Sequence, residues 1–288
     1  MSPSSIGIWL NGGLGNQLFM IFATLSYAID NNLRPIIYSN EHNVCGGRPT
    51  YWGTLLEKLK QFVMPYTHIS HTYHEPVFEY TPIPPQLAEN NYTLHGYYQS
   101  YKYFEHNFAK IRDLIGLDAK IAETKNKYIQ YFVDNQKNIA LHFRLNDYLN
   151  LQDYHPVQTT DYYLNALYCL NKDLKDNDNI DEDINDYNVL YFFQAGDEAI
   201  VNSYLSKFKA EFPNLNFIQI PHDIPDWEQM LLMASCDHFI IPNSSFSWFA
   251  AYFNCSNDKM VYFPSQWFGP AMGRKDTKDL CPVEWNCI

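Results

Sequence analysis

Short apolar runs alternate along the first half of the chain with longer segments that have helical periodicity. Apolar runs at 6–10 and 35–38 predict two strands, and apolar residues recurring every three or four positions predict a helix at 17–30 between them. The same patterns predict a short helix near 54–62, a strand at 93–100, and helices at 103–115 and 118–134. The order strand, helix, strand at the start of the chain indicates a βαβ unit.

The second half of the chain repeats this alternation more regularly. The predicted strands lie at 138–143, 189–193, 216–220, 238–242 and 259–263, and the predicted helices at 161–174, 198–212, 226–235 and 247–253. Such alternation is typical of an α/β fold with a parallel sheet and helices on both faces. An acidic run at 175–187 lacks the central glycine and the terminal glutamate of a calcium loop, so it predicts a solvated loop.

Length and charge narrow the class of protein. The 288 residues suffice for one large domain or for two of about 100–150 residues, and a hydrophobic content of 46% supports a core. A net charge of −12 argues against a nucleic-acid partner, which needs clustered basic residues. The sequence contains neither an apolar run of membrane-spanning length nor a signal-peptide pattern, so a cytoplasmic protein is expected.

Six scattered cysteines lack the spacing of a zinc site and predict reduced thiols, and the sequence offers no other metal-ligand cluster. A disulfide between Cys281 and Cys287 is the alternative left open by their proximity in sequence.

A glycine-rich turn, NGGLGNQLF at 11–19, follows the first predicted strand. Gly13 and Gly15 fit the beginning of a dinucleotide fingerprint, but its third glycine is missing, and no Lys-Ser/Thr pair completes a P-loop. The turn therefore does not favour a dehydrogenase, and by itself it is as consistent with a structural role.

Two polar motifs follow buried strands of the second half. In HFRLNDY (142–148), His142 and Arg144 fall on the same side of a strand, and the guanidinium could hold a phosphate through paired hydrogen bonds. A surface ion pair between Arg144 and Asp147 is the alternative. In IPNSSFSWFAAYF (240–253), an Asn and three Ser residues precede a helix, where they could bind an anion or simply cap the helix. Taken together, the two motifs predict a diphosphate cradle.

These motifs together resemble the α-1,2-fucosyltransferases of glycosyltransferase family eleven. The resemblance extends over nearly the whole chain and includes EPVFEY (75–80), HGYYQSYKYF (95–104), DWEQMLLMASCDHF (226–239) and YFPSQWF (262–268). It implies an inverting transfer of L-fucose from GDP-β-L-fucose to a sugar hydroxyl, commonly O2 of a terminal galactose, in an α-1,2 linkage. It also implies an α/β fold of GT-B type, in which two Rossmann-like domains face each other across a cleft, with no metal and no cofactor. The expected domains are an acceptor-side domain at 1–135 and a GDP-fucose-binding domain at 136–288.

The resemblance also assigns roles to residues. Arg144 would hold the β-phosphate, His142 would orient that site, and Asn16 would reach the leaving oxygen across the cleft while Gly13 and Gly15 permit close approach. The loop expected to bind the phosphates comprises Asn243, Ser244, Ser245, Phe246 and Ser247.

Two departures from the family pattern leave questions open. Leu145 and Asn146 replace a basic or small residue and a glycine of that pattern, and FQAGDE (193–198) keeps only Asp197 of a paired acidic segment, as a guanine or ribose contact. The catalytic base is either Asp147 or Glu75, or a dissociative transfer needs none.

The alternative functions are a transferase for another GDP-linked deoxyhexose and a non-catalytic carbohydrate-binding relative. Peripheral attachment to a membrane that carries the acceptor is the alternative to a purely cytoplasmic location.

Overall fold

The computed structural model describes residues 4–38, 48–65, 71–89, 91–133, 136–176 and 183–288. The chain folds into two compact units, Met1–Lys120 with Lys275–Pro282, and Ile121–Arg274 with Val283–Ile288. This division differs from the one expected at 135/136, because the change of unit falls within a helix and a late segment returns to the first unit. Asp279 in that segment receives hydrogen bonds from Ser100 and Lys102 of the first unit. Cys45 and positions 177–182 of the acidic run lie outside the described residues.

The first unit is built on a five-stranded sheet in the order β3-β2-β1-β5-β4, with every pairing parallel. Its strands are β1 (Ser5–Trp9), β2 (Arg34–Tyr38), β3 (Val63–Met64), β4 (Thr72–His74) and β5 (Tyr92–His95). Its helices are α1 (Leu14–Asp30), α2 (Phe108–Ile115) and α3 (Leu117–Lys127), which continues into the second unit. Short 3-10 segments of this unit occur at Glu57–Phe62, Pro85–Glu89, Tyr101–Tyr103 and Glu105–Asn107, and another, Ile129–Tyr131, follows α3 in the second unit.

Alternation fixes the buried face of this sheet. Ile6 and Ile8 of β1, Ile37 of β2 and Leu94 of β5 are fully buried, as expected for residues that point to the same side of neighbouring strands. The helix α1 begins three residues before its predicted start, because Gly13 occupies the N-cap and Leu14 is already helical. The predicted strand at 93–100 was wrong beyond β5, and the predicted helix at 103–115 is α-helical only in α2.

The second unit is built on a six-stranded parallel sheet in the order β11-β10-β9-β6-β7-β8. Its strands are β6 (Lys137–His142), β7 (Tyr187–Phe192), β8 (Asn216–Gln219), β9 (His238–Ile240), β10 (Val261–Phe263) and β11 (Asn286–Cys287). Its helices are α4 (Thr160–Asp176), α5 (Glu198–Glu211), α6 (Asp226–Ala234) and α7 (Ser245–Phe253), with 3-10 segments at Asn146–Asn150, Ile184–Asp186 and Pro270–Met272. The prediction of an α/β fold with parallel sheets is confirmed.

One buried cluster shows which side chains of β6 face α4 and α5. Ile139, Leu141, Phe143 and Leu145 belong to a buried cluster with residues of β7, α4 and α5. The intervening His142 and Arg144 therefore point to the other side, as the alternation predicted. Cys281 and Cys287 are not joined by a disulfide. No helix in the described part of the chain is both long and apolar enough to cross a membrane.

Candidate active site

The strand order places two of the motifs side by side in the second unit. From β6 the chain runs outward through β7 and β8, then crosses back so that β9 pairs with the other side of β6, with Leu141 opposite Ile240. The carboxyl ends of β6 and β9 thus form a point where the strand order reverses, which is where open α/β sheets bind ligands. HFRLNDY at 142–148, the arginine motif, follows β6, and IPNSSFSWFAAYF at 240–253, the serine motif, follows β9, so the structure brings the two motifs together.

Arg144 is held on three sides by residues of the second unit. Its Nη1 donates to Oε1 of Gln194, and its Nη2 lies 2.6 Å from Oδ1 of Asp147. Its guanidinium carbon lies 4.8 Å from the ring centroid of Tyr148, a cation–π arrangement. The side chain is only 15% exposed. Such contacts orient a fork whose other N–H groups can serve a bound oxyanion.

The predicted alternative, an ion pair between Arg144 and Asp147, is therefore present, and the arginine in it is largely enclosed and oriented by its contacts. Asp147 is accordingly engaged in holding the arginine. That engagement argues against Asp147 as the catalytic base.

Asp197 accepts hydrogen bonds from the backbone of the arginine motif. Both of its carboxylate oxygens lie 3.1 Å from the backbone N of Asn146, which donates to them. Asn146 has φ of +29°, in the left-handed region that asparagine and glycine tolerate best. This conformation gives a physical reason for asparagine where the family pattern has glycine. Burial raises the pKa of Asp197, and Glu198 and Asp147 add to that rise, while the Asn146 N–H and Arg144 oppose it.

His142 is buried beside this arginine. Burial, aided by the positive charge of Arg144, lowers its pKa to about 3, so the imidazole is neutral near pH 7. Its ring centroid lies 5.7 Å from that of Phe246, and its Nδ1 has no hydrogen-bond partner among the residues that the structure describes. A neutral imidazole adds no charge beside Arg144 and can itself orient a polar group.

The serine motif begins α7 two residues earlier than predicted, so Ser245, Phe246 and Ser247 form its first turn and Ser244 is the N-cap. The first N–H groups of a helix have no carbonyl partner within the helix, and the Ser244 side chain makes no capping hydrogen bond in the described part of the chain. Backbone N–H groups in this position suit an anion.

Asn243 differs from the serines that follow it. Its Oδ1 accepts from Gln158 at 3.1 Å, and its Nδ2 donates to the carbonyl of Trp267 at 3.0 Å. Both ends of the amide are thus used in packing the loop. This use argues against the expected phosphate contact by the Asn243 side chain.

In the first unit the strand order reverses in the same way between β1 and β5. Asn16 lies in the first turn of α1, and its Oδ1 accepts from Nε2 of Gln99 at 2.8 Å. Gly12 has φ of +79°, and a Cβ there would lie 2.7 Å from Nδ2 of Asn16. Gly12 therefore leaves room for the Asn16 side chain, while the close approach predicted for Gly13 and Gly15 stays a prediction.

Gly13 and Gly15 lie at the same turn. A Cβ on Gly13, the N-cap of α1, would meet nothing within 4 Å, whereas Gly15 is buried within α1. Gln17, fully buried, holds the turn by donating to the carbonyls of Gly12 and Pro49 at 3.0 and 2.9 Å.

Glu75 follows β4 at the same edge as Asn16. Its Oε2 accepts from the backbone N–H groups of Tyr97 and Tyr98, at 2.8 and 3.1 Å, and its Oε1 is buried with no hydrogen-bonding donor within the described ranges. Burial raises the pKa of Glu75, although those two N–H groups and the charge of Lys275 lower it. A Cβ on Gly96 would lie 2.4 Å from Cβ of Glu75, so glycine is needed there. The structure therefore contains a half-buried carboxyl group with one oxygen fixed and the other unsatisfied.

Sequence reasoning missed Gln194 and Gln99, which contact the two most important predicted side chains. Gln194, in FQAGDE, lies two residues after the end of β7, and Gln99, in HGYYQSYKYF, lies four residues after the end of β5. The signal available was their position just beyond a buried strand, where polar side chains face the ligand edge of a parallel sheet. Among the described residues, no group of three or more His, Cys, Asp or Glu side chains is placed to hold a metal ion.

Comparisons with known proteins point to sugar transfer. The family model described as glycosyl transferase family 11 matches residues 194–288. The O-antigen biosynthesis glycosyltransferase WbnK of Escherichia coli is 24% identical, over 94% of this chain and 97% of that protein. An alpha-1,2-colitosyltransferase of Escherichia coli is 24% identical, over 66% of this chain and 60% of that protein.

The fold comparison agrees. The structure of an Arabidopsis thaliana FUT1 mutant in complex with GDP superposes with a TM-score of 0.50 and 10% identity, over 98% of this chain and 75% of that one. The two parallel sheets match the GT-B glycosyltransferase architecture. The glycosyl transferase family 11 model thus matches the last third of the chain, and the fold is that of the GT-B glycosyltransferases.

Proposed function

We propose that this glycosyltransferase moves L-fucose from GDP-β-L-fucose to a sugar hydroxyl with inversion, forming an α-1,2 linkage to O2 of a galactoside. The observation that carries this proposal is that the oriented guanidinium of Arg144 and the first turn of α7 follow two paired strands, β6 and β9, at the point where the strand order reverses. This cation and these N–H groups are suited to a diphosphate.

The chemical step breaks the bond between C1 of fucose and the β-phosphate oxygen as the acceptor oxygen forms a bond to C1. Negative charge grows on the departing GDP, and the acceptor hydroxyl loses its proton. Preorganised donors are most effective where charge develops in the transition state. Arg144 and the α7 N–H groups are assigned to the diphosphate, and neutral His142 orients the polar groups around it.

Glu75 is the proposed acceptor of the hydroxyl proton. Its buried Oε1 and raised pKa suit a general base better than Asp147, whose carboxylate is paired with Arg144. Asn16 is assigned to the leaving oxygen by the family resemblance, and its contact with Gln99 restricts its side chain. The division into an acceptor-side and a donor-binding unit belongs to the same proposal.

The second candidate is transfer of a different GDP-linked deoxyhexose. The relative described as an alpha-1,2-colitosyltransferase supports it, because colitose differs from fucose by one missing hydroxyl. A site that hydrogen-bonds this hydroxyl of fucose would discriminate strongly against colitose, which lacks it. An apolar site at that position would favour colitose but discriminate less strongly against fucose.

The deciding experiment incubates the protein with GDP-fucose or GDP-colitose and a panel of galactosides, and measures GDP release and the linkage formed. The proposal expects faster turnover with GDP-fucose and an α-1,2 product. A kcat/KM that favours GDP-colitose would select the second candidate. Sugar binding without GDP release from either donor would indicate the non-catalytic alternative.

A further inference from the structure

The arginine motif contains a residue with positive φ, Asn146, whose conformation requires stabilising contacts. Leu145 is 1% exposed and packed in the core, while Asn146 turns the chain with φ of +29°. Residues in sparsely populated backbone regions persist only when their surroundings determine them. The contacts of Asn146 should therefore explain how Arg144 is presented.

Asp197 supplies that contact in an unusual way. It is the N-cap of α5, a position where aspartate ordinarily accepts from the first turn of its own helix. Within the described part of the chain it makes no such bond, and both oxygens instead accept from Asn146 at 3.1 Å. Glu198 accepts from the backbone of Gly196 at 3.0 Å and so supports the same turn.

The segment after β7 therefore holds the arginine motif at two points. Oε1 of Gln194 accepts from the Arg144 side chain, and Asp197 accepts from the backbone two residues further along. Asp197 is 4% exposed, and its oxygens face the loop. A group so enclosed and so engaged is badly placed to bind a nucleoside.

We propose that Asp197 is a positioning residue, which holds Asn146 in the left-handed region and thereby fixes the segment that presents Arg144, and that it does not contact guanine or ribose. This inference rests on the proposed function, because it takes Arg144 as the ligand of the donor diphosphate. It replaces the expectation that Asp197 binds the nucleoside.

The test uses the full chain and a double-mutant cycle. In Asp197→Ala, Asn146 loses its acceptor, and kcat/KM for the donor should fall about 100-fold, as expected for a misplaced catalytic group. Glycine adopts positive φ without the penalty of a side chain, so Asn146→Gly should stay close to wild type. The double variant Asp197→Ala/Asn146→Gly should have a kcat/KM for the donor at least about tenfold higher than that of Asp197→Ala. Asp161→Ala, an exposed aspartate in the first turn of α4, is the matched control.

Two further measurements separate positioning from direct contact. By calorimetry, Asp197→Ala should weaken the binding of inorganic pyrophosphate and of GDP in the same proportion and leave guanosine binding unchanged. By hydrogen exchange, the amide of Asn146 should be protected in the wild type and exchange rapidly in Asp197→Ala. If Asp197→Ala does not fold, Asp197→Asn replaces it, because the amide keeps one acceptor oxygen. This variant should show the same pattern of binding and exchange changes, each smaller in size.

Weakened guanosine binding with intact pyrophosphate binding would overturn the inference in favour of a nucleoside contact. Failure of Asn146→Gly to rescue a folded Asp197→Ala variant would overturn it as well. The amide exchange needs no donor, so it tests the loop even if wild-type protein fails to use GDP-fucose, which would refute the proposed function alone.

Discussion

Replacing Arg144 by lysine is the most direct perturbation of the proposed diphosphate site. The guanidinium donates to Gln194, forms an ion pair with Asp147 and packs against Tyr148. Lysine keeps the positive charge and, in part, the attraction to the ring. It cannot keep both contacts and also present paired donors to a phosphate.

The size of the effect follows from what the change removes. Arg144 is 15% exposed, so its hydrogen bonds are only partly screened by water. A hydrogen bond to a charged group is worth about 1.5–3 kcal/mol, and losing a preorganised donor to a developing oxyanion costs about 100–1,000-fold in kcat. We therefore expect Arg144→Lys to lose about 100-fold or more in kcat, with a smaller effect on GDP affinity because the charge remains.

Steady-state kinetics with GDP-fucose and an accepted galactoside, together with calorimetry for GDP, measures both quantities. Arg34→Lys, at the exposed start of β2, is the matched control and should behave as wild type. An unchanged melting temperature shows that the fold is intact. Turnover of Arg144→Lys within a few-fold of wild type would refute the reasoning, because charge alone would then suffice.

Four other changes test further parts of the structure. Asn16→Ala should lower kcat strongly and leave GDP affinity nearly unchanged, since GDP contacts are proposed for the second unit; calorimetry showing a large loss of GDP affinity would contradict this. Glu75→Gln should abolish the rise of kcat/KM with pH that ionisation of a base produces, a rise expected above the usual range of glutamate because the pKa of Glu75 is raised; a pH profile identical to wild type would exclude the role. Gly96→Ala should destabilise the protein by about 1–3 kcal/mol in urea denaturation, because its Cβ would lie 2.4 Å from Cβ of Glu75, whereas Gly13→Ala, with nothing within 4 Å, should not suffer this clash. The lowered pKa of His142 means that the folded state binds its proton less readily than the unfolded state, so this residue should remove stability as pH falls from about 6.5 towards 3, and His142→Gln should lessen that acid-side loss in urea denaturation at several pH values.

Much of the fold could be predicted from the sequence because burial determines the pattern of apolar residues within each helix and strand. Fully buried parallel strands appear as short apolar runs, and helices packed on them show their own period, so β6, β7 and the helices α4 and α5 lay close to their predicted positions. Errors occurred where a tertiary contact overrides the local pattern. The strand predicted at 93–100 stops at His95, and Tyr98 then takes φ of +51° with its N–H on Glu75.

The candidate site divides in the same way. The sequence by itself determined that Arg144 and His142 share one side of a strand end, and that a serine-rich segment precedes a helix, because both are properties of neighbouring residues. Only the tertiary structure decided that these two segments adjoin, since the order in which parallel strands pair is set by crossover connections and not by the strands' own residues.

The partners of each side chain were likewise decided by the fold. Arg144 and Gln194 are separated by 50 positions, Asn146 and Asp197 by 51, and Asn16 and Gln99 by 83. A single sequence carries no periodicity that links such distant residues, because each contact depends on strand register, on the loop that follows and on which face the side chain takes. Periodicity along the chain records which residues are buried, but the identity of each residue's neighbour arises only when the sheets are assembled.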